Sequence, residues 1–203
     1  MTHARPMTPD AFAALHPVLT HYAEAGAHEG IRARGLPPAA TLAPHLDMAV
    51  PRPSAVEFGH AVPSDNTPLL GPGLARCLDD GLTPEDWLRI LNDRVFLWAE
   101  EANGAGFLRA RLRLGRATER LRFDTARLLT PVWDRAEITP INSGSAIRKP
   151  ARRGLSTFAP LATLDYDAWR RSRRTKGLDR VREVAVRGGI PEAGAALISV
   201  DPV

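Results

Sequence analysis

One cysteine, Cys77, stands among 203 residues. A single thiol cannot close an internal disulfide, nor can it build a cysteine-based structural zinc site. Long apolar runs are missing as well. No stretch approaches the ~20 apolar residues that a bilayer-spanning helix needs, so no membrane partner is expected. Met1-Thr-His-Ala-Arg-Pro6 leads into no apolar segment of the kind a secretory signal carries. These absences predict a reducing, cytoplasmic setting. No Gly-x-Gly-x-x-Gly, Walker-type loop or Gly-x-Ser-x-Gly elbow occurs. The histidines, at 3, 16, 21, 28, 45 and 60, include no pair four apart with an acid between. No metal is therefore expected.

What the chain does have is enough apolar material, 44%, for a sizeable core. Its length fits a single domain spanning 1–203. Net charge is +4, unevenly spread. Residues 148–187 hold twelve Lys/Arg and four Asp/Glu, a balance of +8, which leaves −4 for the remainder. Such a segment is an electrostatic footprint for polyanions, nucleic acid first. The plain alternative is a solvated arginine-rich face.

Thr8-Pro9-Asp10 is a helix start: a capping hydroxyl, a proline in the first turn and an acid at the positive dipole end. Residues 19–23 read as a half-buried strand around His21. A helix follows to Arg34, and Gly35-Leu36 closes it. Residues 37–72 hold eight prolines and form an irregular insertion. Thr83-Pro84-Glu85-Asp86 opens a second strong helix, with Trp87, Ile90 and Leu91 as its apolar stripe. Residues 94–99 are the clearest strand. A helix is expected over 107–120, with Leu108, Leu112 and Leu114 inward. Strands follow at 121–125, 181–186 and 196–200. Residues 148–154 read as basic and mobile, and a helix centres on Trp169. Elements alternate early and strands dominate late, which predicts an α+β fold.

Four blocks occur in order: the His21 strand with its helix ending in Gly35-Leu36; residues 80–98; Phe123-Asp-Thr-Ala-Arg-Leu-Leu129 with Pro140-Ile-Asn-Ser-Gly-Ser145; and residues 153–158 through Arg182-Glu183-Val-Ala-Val186. Together they closely resemble a bacterial family of uncharacterised proteins. More remotely, they are similar to the ADP-ribosyltransferases that modify thymidine bases on single-stranded DNA, the toxins of certain toxin–antitoxin pairs. The resemblance implies an ADP-ribosyltransferase-like mixed β core with flanking helices. It implies NAD as a substrate, single-stranded DNA or RNA as an acceptor, and an antitoxin as a partner.

In those enzymes a histidine on the first strand holds the NAD ribose and a glutamate sits on a late strand. His21 and Glu183 match these positions, and Arg52 is the nearest match to the family's catalytic arginine. Tyr22 departs from the pattern, since a small hydroxyl residue is common near it. The expected cofactor contacts are His21, Tyr22, Phe96 or Trp98, Asn142 and Ser143. Glu183 would meet the positive charge that builds on the ribose as nicotinamide leaves. Each has a plain alternative: aromatics on strands are more often core, and Asn142-Ser143 can be turn chemistry. Arg148, Lys149, Arg152, Arg153 and Trp169 are the expected nucleic-acid contacts. His21 and Glu183 are expected on neighbouring central strands, facing one cleft. The runners-up are a noncatalytic module of the same fold and a nucleic-acid-binding protein carried by the basic segment alone.

Overall fold

The computed structural model describes residues 6–50, 67–69, 71–147, 149–172 and 181–203. In chain order they form α1 (Pro9–Leu15), β1 (Val18–Glu24), α2 (Ala27–Arg34), α3 (Ala39–Leu42), α4 (Pro72–Cys77), α5 (Pro84–Asn92), β2 (Arg94–Trp98), α6 (Glu101–Arg113), β3 (Thr118–Asp124), α7 (Thr125–Leu129), β4 (Ala136–Thr139), β5 (Ala159–Pro160), α8 (Tyr166–Ser172), β6 (Glu183–Arg187) and β7 (Leu197–Pro202). The fold is α+β.

Capping chemistry sets several boundaries. Thr8 accepts a hydrogen bond from the Ala11 amide at the start of α1. Thr83 and Asp86 form a reciprocal capping box on α5. The start of α2 is capped from another element. Glu119 on β3 accepts from the Gly26 and His28 amides, at 3.0 and 2.6 Å, and lies 3.0 Å from His28 Nδ1. Gly35 ends α2 at φ +78°, where a Cβ would lie 2.2 Å from two carbonyl oxygens. Leu36 then bridges to Ile190.

The seven strands make one sheet in the order β5-β4-β6-β2-β1-β3-β7. Every strand pairing is antiparallel, which corrects the expectation of a mixed core. The cause is connectivity: α6 carries the chain over β1, so β2 and β3 flank β1 and both run opposite to it. β1 pairs with β3 along its whole length, and β2 pairs with β6 from Arg94–Arg187 to Trp98–Glu183. Between β1 and β2 the register holds one pair, Thr20–Trp98. The sheet is thus two well-paired halves joined at a single point.

Strand alternation separates two layers. One face carries Leu19, Val95, Leu97, Leu121, Phe123, Ile138, Val184 and Val186, packed with Phe12, Ile31, Leu128 and Trp169. The other carries Phe96 and Ala185 against Leu74, Trp87, Leu88 and Leu91. Leu88, rather than Ile90, completes the buried stripe of α5.

The helix expected over 107–120 begins earlier and ends at Arg113. Its inward residues include Gly104 and Arg111, while Leu112 and Leu114 are 47% and 65% exposed. With glycine and arginine at two of the inward positions, Phe107 is left as an isolated apolar signal on that face. Gly104 lets the helix lie on Tyr22 and Trp98, since a Cβ there would meet them at 2.6 and 2.9 Å. Arg111 reaches Glu24 at 2.8 Å.

Candidate functional site

Two groups of predicted residues come together, at either side of β2. The first centres on Glu183. It opens β6, is 3% exposed, and pairs with Trp98 on one side and Thr139 on the other. Ser143 donates to Glu183 Oε2 twice, from its amide at 3.1 Å and its hydroxyl at 2.7 Å. Burial raises the carboxyl from its ordinary 4.5 to about 7. The Ser143 hydrogen bonds and the charges of Arg182 and Arg153 only partly oppose it.

Ser143 also serves the other direction. Its carbonyl accepts from Arg153 Nη1 at 3.0 Å and from Trp87 Nε1 at 3.3 Å. Arg153 is 2% exposed and lies over the Trp87 ring, 5.8 Å from its centroid. Burial lowers its pKa, with Cys77 and Glu183 acting the other way. Trp87 stacks on Phe158 at 5.7 Å, and Phe158 packs on Phe96. Ser143 therefore joins a buried carboxyl to a buried guanidinium.

The segment 149–154 is not the free basic arm the sequence suggested. The Arg153 amide donates to the Cys77 carbonyl and the Asp79 amide to the Arg153 carbonyl, at 2.9 and 2.7 Å. Arg152 pairs with Asp79 and donates to the Arg76 carbonyl at 3.1 Å. Gly154 fits because a Cβ there would lie 2.2 Å from Asp80 Oδ2.

The second group centres on His21, which is half-buried. Its Nδ1 lies 2.9 Å from the Phe96 carbonyl oxygen. A carbonyl can only accept, so Nδ1 carries the proton and Nε2 is the bare acceptor in the neutral ring. Burial holds the pKa below the usual histidine value; the Phe96 hydrogen bond opposes this and the Arg111 charge adds to it. The ring bonds a β2 carbonyl near the place where the β1–β2 ladder is reduced to one pair.

Expectation and geometry differ in several respects. His21 and Glu183 do not sit on neighbouring strands, because β2 lies between β1 and β6. Register puts Thr20, Trp98 and Glu183 in one row, so alternation assigns His21 to the opposite face. Phe96 and Trp98 share a face, whereas one was expected in a cleft and the other in the core. Tyr22 and Trp98 are both buried beneath α6, each packed on Phe107. Trp169 is 8% exposed and stacks on Tyr166 within the opposite layer. It offers no ring to a nucleobase. Arg153 is likewise interior, leaving Lys149 and Arg152 exposed, the latter ion-paired. Asn142 is half-buried beside Ser143. Arg52 and Arg148 lie outside the described residues. The sequence reading missed that Arg153, Ser143, Trp87 and Glu183 form one network; Arg153 inside a basic run carried no sign of burial.

Comparison with known proteins adds one match. The model of the "Family of unknown function (DUF7002)" matches residues 17–197. The chain belongs to that family. The DUF7002 span takes in both groups, from the residue before β1 to the first of β7. No curated protein matches this DUF7002 chain.

Proposed function

We propose that this DUF7002 protein is an NAD-dependent ADP-ribosyltransferase-like protein. The reading keeps the resemblance described above and rests on one observation. A histidine with its tautomer set by a strand carbonyl and a buried glutamate with a carboxyl near 7 flank the same strand, where the two halves of the sheet meet. His21 Nε2 would accept a hydrogen bond from a ribose hydroxyl of NAD. Alternation sets Glu183 on the opposite face from His21, so the β1–β2 junction, held by one register pair, would have to part. Ionised Glu183 would then stabilise positive charge on the ribose as nicotinamide departs. A carboxyl near 7 is also suited to taking a proton from the acceptor as the new glycosidic bond forms. Ser143 would hold Glu183 in place and preserve its charge.

The acceptor remains a base in single-stranded nucleic acid on the strength of the resemblance. The burial of Trp169 removes one of the contacts first assigned to it. The near-complete enclosure of Glu183 favours a second reading, a module of this fold that binds NAD without turnover.

NAD loss, followed with thymidine-containing single-stranded DNA present, separates the two. The transferase reading expects NAD loss by the wild type and a fall of about 10²–10³ in Glu183→Gln. NAD binding with no turnover supports the module. Equal turnover by both proteins removes Glu183 from the mechanism.

A further inference from the structure

A small polar pocket opens beside the buried network, lined by Asp79, Ile141, Arg152, Arg153, Ser156 and Thr157 among others. Its charges do not cancel. Asp79 is neutralised by Arg152. Arg153 has no ion pair among the described residues. Its Nε donates to the Ala151 carbonyl at 3.2 Å and its Nη1 to Ser143, leaving Nη2 without a hydrogen-bond partner there. Among the described residues Glu183 is hydrogen-bonded to it through Ser143 and acts on it directly by charge alone. A guanidinium 2% exposed and not ion-paired is costly to hold. Two carbonyls and the Trp87 face offset part of that cost.

Two hydroxyls line the same pocket. Thr157 Oγ1 accepts from the Gly154 amide at 2.8 Å, so its own hydrogen is free to donate. Ser156 is exposed at the rim, its hydroxyl unengaged among the described residues. A planar guanidinium edge with two hydroxyl donors matches a tetrahedral oxyanion, the arrangement for which arginine is favoured.

We propose that this pocket is an anion subsite, and that it takes a phosphate group of a nucleotide. Arg153 supplies the charge, while Ser156 and Thr157 supply further donors. The phosphate has two sources, a free dinucleotide or a polynucleotide backbone. The proposal does not depend on NAD turnover.

The test is calorimetric titration at low salt with inorganic pyrophosphate, NAD and single-stranded oligothymidylate. Three proteins are compared: wild type, Arg153→Gln and Ser156→Asp. Arg153 is interior and its variant can unfold, so Ser156→Asp, at an exposed position, keeps the test valid. It sets a like charge at the pocket mouth. The proposal expects pyrophosphate binding by the wild type, weakened about tenfold or more in Ser156→Asp and in any folded Arg153→Gln. Parallel weakening for NAD alone assigns the dinucleotide, and for oligothymidylate alone the polynucleotide. No pyrophosphate binding by the wild type, or binding indifferent to Ser156→Asp, overturns the subsite. Weakening for pyrophosphate but for neither nucleotide overturns its assignment to a nucleotide phosphate.

Discussion

Glu183→Gln should change how stability depends on pH, by an amount the structure sets. The folded carboxyl stands at about 7 against an ordinary 4.5, chiefly through burial. The folded chain therefore holds this proton more tightly than the unfolded chain. Stability from this group is full below pH 4.5 and is lost as pH rises through 7. The difference, about 2.5 in pKa, corresponds to about 3 kcal/mol. His16 and His21 act with the opposite sign, since burial lowers both and their stabilisation is lost as pH falls below 6.5. Comparing variant with wild type cancels the histidines. Glutamine keeps an oxygen for both Ser143 donors and carries no charge. Urea unfolding at pH 5 should therefore find the two proteins within about 1 kcal/mol. By pH 8.5 Glu183→Gln should be the more stable by about 3 kcal/mol. Stability curves that stay parallel from pH 5 to 8.5 would refute the claim that Glu183 is buried as an acid near neutrality.

Two further outcomes follow from packing. Gly104→Ala gains about 1 kcal/mol of helix propensity but places a Cβ 2.6 Å from Tyr22 and 2.9 Å from Trp98; a net loss of about 1–2 kcal/mol in chemical denaturation is expected, and a gain would show that α6 lifts freely. Trp169→Ala should cost about 3–5 kcal/mol, because its ring is buried and stacked; oligonucleotide affinity that falls without loss of stability would return Trp169 to the surface.

Local chemistry was the readable part of this sequence. Thr8 and Thr83 mark their helices because a capping hydroxyl acts within three residues. Val184 and Val186 alternating with Glu183 mark β6, and the mixed apolar and aromatic run around His21 marks β1. Long-range features were hidden for physical reasons. The order of strands depends on α6 crossing β1, and no local pattern reports that. Arg111, Arg153 and Glu119 are charged, so composition places them outside; Glu24, Ser143 and the amides of α2 allow them inside. Within the candidate site, His21, Ser143 and Glu183 were each legible singly. Their arrangement on either side of β2, and the capture of Arg153 by the Ser143 carbonyl, required coordinates.

The most direct test of the account is a crystal structure with NAD. It predicts NAD at the β1–β2 junction, with a ribose hydroxyl about 3 Å from His21 Nε2. NAD bound away from His21, or no NAD in crystals grown at saturating concentration, would contradict it.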